Sequence, residues 1–270
     1  MSGFVATDLP TPVRELSLLS GPGSFPLFEY PYLIEIAGPA GAGKSTLARA
    51  VAKELAAMGH PVTIASSARP AELAPASRRS GNLAAALARA SKLFELAGQA
   101  ESHGEISRQI LEILPPRSQL WSLRYRRYLS DLERAWQAAR ASRRIVIFDQ
   151  GYLSALVALS ALARDPPPSQ VLNEALRLVP VADLTVCLTA PQEELSRRLN
   201  RRLGAQGVLE RMFELDIPTS LGQRAYMAML GRLVASNGIP AMQVESGSLE
   251  VLTVSVAAEI FASRSTAPAI

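Results

Sequence analysis

Apolar runs of four to six residues, each followed by a polar turn and then by a helical stripe, recur along this chain and set its architecture. Leu33, Ile34 and Ile36 form the first run, and Leu47, Ala50, Val51 and Leu55 recur at helical spacing until Gly59, His60 and Pro61 stop them. Val62 to Ala65 reads as a second strand, followed by the polar, proline-containing loop SSARPAELAPASRRSG with Arg69, Arg78 and Arg79. A mostly helical region then spans Asn82 to Ser142, broken near His103 and Gly104 and again at Pro115 and Pro116. Its last helix is expected to carry Leu120, Leu123, Leu129, Leu132 and Trp136 inward, with Arg124, Arg127, Asp131 and Arg134 on other faces. Further strands follow at Arg144 to Phe148, Leu184 to Leu188 and Ala241 to Val244. Strands separated by helical segments predict an α/β fold: a mostly parallel sheet with helices on both faces.

Composition narrows the class. At 270 residues with 48% hydrophobic content the chain can bury a large core, so one domain over about 31–264 is expected, preceded by an irregular extension over 1–30. That extension mixes Pro, Gly and Ser and leads into Phe25, Phe28, Tyr30 and Tyr32, rings that can pack on the body; it is expected to carry no catalysis. The formal charge of +4 is spread among carboxylates, which makes nucleic acid an unlikely partner. Cys187, the one cysteine, sits in the apolar run LTVCL and reads as a strand residue. With no leader-like start and no apolar stretch long enough to span a bilayer, the expected compartment is the cytoplasm and no membrane partner is expected. Homodimerisation stays open on sequence alone. His60 and His103 lie in turns and read as structural.

The first strand runs directly into GPAGAGKS, a complete GxxxxGK[ST] loop, and this is where the chemistry begins. Gly38, Pro39, Ala40, Gly41, Ala42, Gly43, Lys44, Ser45 and Thr46 are the expected nucleotide-binding residues. Glycines let a chain turn its amides inward around phosphate oxygens, Lys44 can reach the β- and γ-phosphates, and Ser45 offers its hydroxyl to Mg²⁺. The helix that starts there points its positive end at the anion. Lysine occurs only at 44, 53 and 92 in a chain that otherwise uses arginine, which singles out Lys44.

Two further groups suit phosphoryl transfer. Asp149 ends the strand RIVIF, where an oxygen ligand can hold Mg²⁺ or accept a proton from an acceptor hydroxyl; capping the following helix, GYLSALVALSAL, is the competing role. Arg197, Arg198, Arg201 and Arg202 follow the strand LTVCL, and Arg211 follows a glycine-containing loop. At helical spacing Arg197 and Arg201 share one face and Arg198 and Arg202 another. Guanidinium groups closing over transferring phosphate stabilise its charge, whereas pairing with Glu193, Glu194 and Glu210 would make them a solvated helix face.

Together these pieces resemble the thymidylate kinase branch of the P-loop kinases, within the P-loop NTPase superfamily, from about Tyr32 to Ala262. The likeness is carried by the phosphate loop, the strand ending at Asp149, ADLTVCLTAPQEELSRRLNRR at Ala182 to Arg202, LERMFE at Leu209 to Glu214, and Arg224, Ala225, Tyr226 before the final strand. The resemblance implies a helical lid over about 197–222, in which Arg197, Arg201, Arg202 and Arg211 fold over ATP. It also implies an acceptor-binding role for Arg127, passage of Gln243 to Ser248 near the adenine, and ATP with Mg²⁺ as cofactors. The chain departs from the family on the acceptor side. Ala40 stands where an acidic residue is usual, Asp149, Gln150, Gly151 replaces Asp-Arg-Tyr, and only Ala68, Arg69, Pro70 remains of an Arg-Glu-Pro-Gly segment. Arg69 and Arg127 are therefore the acceptor-side candidates. The expected function is ATP-dependent transfer of the γ-phosphoryl group to a small acceptor. The alternatives are a nucleoside monophosphate kinase of thymidylate type and a nucleotide-gated, non-catalytic switch or assembly factor.

Overall fold

The structure, a computed structural model, describes residues 31–65, 104–205 and 217–265. Thirteen elements cover them in the order β1 (Tyr32–Ala37), α1 (Lys44–Ala57), β2 (Val62–Ala65), α2 (Glu105–Ile113), α3 (Gln119–Arg140), β3 (Ile145–Phe148), α4 (Tyr152–Leu162), α5 (Ser169–Leu178), β4 (Leu184–Thr189), α6 (Gln192–Ala205), α7 (Ile217–Ser236), β5 (Ala241–Glu245) and α8 (Leu249–Ser265). The extension at 1–30, the loop with Arg69, Arg78 and Arg79, His103 and the Arg211 segment lie outside the described residues.

Five strands pair in the order β2-β3-β1-β4-β5, every pairing parallel. Both faces are covered, which is why β1, β3 and β4 are near-continuous apolar runs rather than alternating ones. Ile34, Ile36, Ile147 and Val186 pack on one face with Leu47, Val51 and Leu55 of α1 and Val256 and Ile260 of α8. On the other, Leu33, Val146 and Phe148 meet Leu129, Leu132 and Trp136 of α3, almost all of α4, and Met227, Leu230 and Val234 of α7. Trp136 stacks on Phe148 at 4.5 Å between ring centroids and meets Tyr152 edge-on at 5.3 Å. Such aromatic pairs add about 0.5–1.5 kcal/mol each beyond area burial.

One expectation needs correction. Leu120 and Leu123 do not face the core; they are 56% and 41% exposed. Counting back at 100° per residue from Leu129, Leu132 and Trp136, the inward positions are Tyr125 and Trp121, while 120 and 123 fall on roughly the opposite side. Tyr32 is the first residue of β1 and its ring is buried. Among the described residues no helix is long and apolar enough to cross a membrane. Cys187 is buried in β4, and burial pushes its thiol up to about 12, which leaves it unreactive. His60 is buried against Phe261, with 5.4 Å between rings.

Candidate active site around the phosphate loop

β1 lies at the centre of the sheet, and the loop leaves its C-terminal end between β3 and β4, the position where open parallel sheets present ligands. Gly41 and Gly43 take φ values of 83° and 101°, left-handed conformations that a side chain would strain. Gly43 precedes α1 without a side-chain cap, and the first turn of α1 holds no acid. The positive end of α1 thus faces a pocket of about 420 Å³ whose walls include the loop, Gln150, Leu188, Arg198, Ser246 and Gly247.

Lys44, only 8% exposed, folds back into the loop and donates from Nζ to the carbonyls of Gly38 at 2.8 Å and Pro39 at 2.9 Å. Ser45 Oγ donates to Asp149 Oδ2 at 2.9 Å, joining residues 104 positions apart. Asp149 is 3% exposed and directed at the loop. Gly151 is the cap residue of α4, with no side-chain cap of its own. A hydroxyl and a carboxylate side by side form a hard-oxygen edge that fits Mg²⁺. Among the described residues no group of three or more acidic, His or Cys side chains could hold a metal alone. A metal here would therefore draw its remaining ligands from water and nucleotide phosphates.

The acceptor for α4 comes from a residue that the sequence reading passed over. Glu35, 1% exposed in mid-β1, accepts at Oε1 from the amides of Leu153 at 2.7 Å and Ser154 at 3.3 Å. Burial pushes its carboxyl up to about 7, against the pull of the Ser154, Leu153 and Tyr152 amides. The visible signal was its position as the one charged residue in an otherwise apolar strand. Because the folded state keeps this proton while the unfolded chain releases it near pH 4.5, folded Glu35 binds more protons across pH 4.5 to 7. Stability is therefore lost as pH rises through that window, by roughly 3 kcal/mol. Glu35→Gln should flatten the profile. Urea unfolding at pH 5 and pH 8 checks this; an equal pH slope in both proteins would contradict it.

The arginines divide by face. Arg198 donates from Nε to Glu194 Oε1 at 2.7 Å and from Nη1 to the carbonyls of Gly41 and Ala42, both at 3.2 Å. Among the described side chains of this helix it is the arginine that touches the loop, and the selection of Arg197, Arg201 and Arg202 left it out. Arg197 pairs with Glu194 at 2.6 Å with its side chain 62% exposed, and Arg201 is exposed. The side chain of Arg202 and all of Arg69 and Arg211 lie outside the described residues. Arg127 sits on α3, 3.8 Å from Asp131, with Nη1 buried and making no hydrogen bond. Of the stretch Gln243 to Ser248, Ser246 and Gly247 line the pocket, whereas the Gln243 amide lies against Gly231 of α7. A second unforeseen contact comes from α7, where buried Gln223 accepts at Oε1 from the Ala40 amide at 3.0 Å. Nothing local in the sequence marks Gln223.

No family model matches the chain, and no curated protein matches it in sequence. Among solved structures, deoxyadenosine kinase from M. mycoides with the products dCMP and dCDP overlaps 85% of this chain and 99% of its own, with a TM-score of 0.48 and 11% identity. Deoxyadenosine kinase from M. mycoides with dCTP bound overlaps the same shares at a TM-score of 0.46 and 12% identity.

Proposed function

We propose that this protein is an ATP-dependent phosphotransferase that moves the γ-phosphoryl group to a small acceptor, with Mg²⁺ as its metal. The observation that carries this reading is the Ser45–Asp149 contact beside buried Lys44, at the mouth of an uncapped helix. A site built this way has little covalent chemistry to do; it positions phosphates and neutralises charge. The loop amides and the start of α1 would hold the β-phosphate, and Lys44 Nζ would exchange the Gly38 and Pro39 carbonyls for β- and γ-phosphate oxygens. Ser45 and Asp149 would hold Mg²⁺, which would supply positive charge to offset that of the phosphates. Arg198 braces the rim of the loop through two carbonyls. Arg197, Arg201, Arg202 and Arg211 are the proposed closing cations, and Arg69 and Arg127 the proposed acceptor contacts.

The thymidylate-type alternative needs a guanidinium on the acceptor side, and the buried, unbonded Nη1 of Arg127 is the feature that favours it. A nucleotide-gated switch would keep ATP binding and lose transfer. One experiment separates the three. The purified chain is incubated with γ-labelled ATP, Mg²⁺ and a panel of nucleosides, nucleoside monophosphates and simple hydroxyl compounds. Label is expected on one acceptor class. ATP binding without transfer to the panel or to a metabolite extract would overturn the kinase reading and leave the switch.

A further inference from the structure

Three consecutive residues after β3 are each held from a different direction. Asp149 accepts from Ser45 at 2.9 Å, the Gln150 carbonyl accepts from Tyr128 Oη of α3 at 3.0 Å, and Gly151 lies on the carboxyl of Glu35. A β-carbon at position 151 would sit 2.5 Å from Glu35 Cδ and 2.7 and 2.8 Å from its two oxygens. The backbone there, at φ −111° and ψ −152°, is extended rather than left-handed. What a side chain at 151 lacks is space, and the Glu35 carboxyl takes it.

Glu35 also sits opposite Phe148 in the β1–β3 pairing, one residue before Asp149, while its Oε1 takes two amides in the first turn of α4. It therefore touches the turn at both ends: where β3 stops and where α4 starts. An apolar residue at 35 would avoid desolvating a carboxyl but would leave those amides unpaired in the core. We propose that Glu35, matched to Gly151, is a positioning residue that sets the Asp149 turn so that the Asp149 carboxylate meets the Ser45 hydroxyl. Glu35 need not touch nucleotide or metal; it acts through the turn. The inference rests on the proposed role of Ser45 and Asp149 as the Mg²⁺ edge.

The test is binding of a fluorescent ATP analogue to the full chain at one pH, with and without a Mg²⁺ titration, alongside thermal melting. Removing a group that orients a metal ligand costs about ten- to a hundredfold in metal affinity. Glu35→Ala should therefore raise the Mg²⁺ half-saturation about tenfold or more while leaving metal-free nucleotide affinity within about twofold. Glu35→Gln keeps an acceptor oxygen for the two amides and should restore the Mg²⁺ response. Gly151→Ala should fold poorly, and adding Glu35→Ala should recover its melting transition, because the carboxyl that the new methyl strikes is gone. A folded Glu35→Ala variant with an unchanged Mg²⁺ response overturns the proposal, as does equal loss of metal-free and metal-dependent binding. Failure of the double variant to recover overturns the matched pair. A wild-type chain that binds the analogue but ignores Mg²⁺ overturns this inference and the metal role together, whereas one that binds no nucleotide sinks the functional reading itself.

Discussion

Replacing Lys44 with alanine is expected to cut phosphoryl transfer by about a thousandfold, equivalent to about 4 kcal/mol of transition-state stabilisation. Among the described residues two cations line the pocket, Lys44 and Arg198. Arg198 is committed to Glu194 and to the outer carbonyls of Gly41 and Ala42, which leaves Lys44 as the cation inside the loop. Its present partners, the carbonyls of Gly38 and Pro39, lie within the same turn of chain, so exchanging them for phosphate oxygens requires side-chain motion only. The fold should survive, since the bonds that Lys44 makes to the Gly38 and Pro39 carbonyls lie within its own loop and it contributes charge rather than core packing. Single-turnover transfer of labelled phosphate, with melting followed by circular dichroism, measures both effects. Turnover within tenfold of wild type in a folded variant would count against the site.

Asp149→Asn is expected to separate metal from nucleotide. Asn keeps an oxygen able to accept from Ser45 Oγ, so the 2.9 Å brace between the loop and the end of β3 can persist. What is lost is the charge that makes this edge attractive to Mg²⁺. Transfer should fall about a hundredfold. Nucleotide affinity without metal should stay within about threefold, and the Mg²⁺ concentration for half-maximal rate should rise. Isothermal titration with and without Mg²⁺, set beside the rate, is the measurement. Equal losses in both conditions would make Asp149 a loop brace and no more.

What could be read from the sequence was what local spacing decides. The phosphate loop needs only its own residues to announce its shape, and β1, β3 and β4 declared themselves because strands buried on both faces are near-continuous apolar runs. Leu120 and Leu123 were misplaced by residue type: leucines were assumed to face inward, while helical phase from Trp136 sends Trp121 and Tyr125 there. Arg198 was named among four arginines, but helical spacing separates faces without saying which face meets the loop. Glu35 stood out as a lone charge in β1, but what it and Gln223 bond to was unreadable for a different reason. Their partners are far off in sequence, on α4 and in the loop, and only the pairing of β1 with β3 and the docking of α7 bring them together.

The central place of β1 also bears on when this protein can first hold a ligand. β1 has β3 and β4 as its neighbours, not the next strand along the chain, so the loop leaves the ribosome before the strands that flank it. The partner of Ser45 follows 104 residues later. Contacts of such separation form slowly, after much chain entropy has been lost. Nucleotide added during synthesis should therefore protect only chains from which β3 and β4 have emerged, and chains stalled before β3 should remain open to protease whether ATP is present or not.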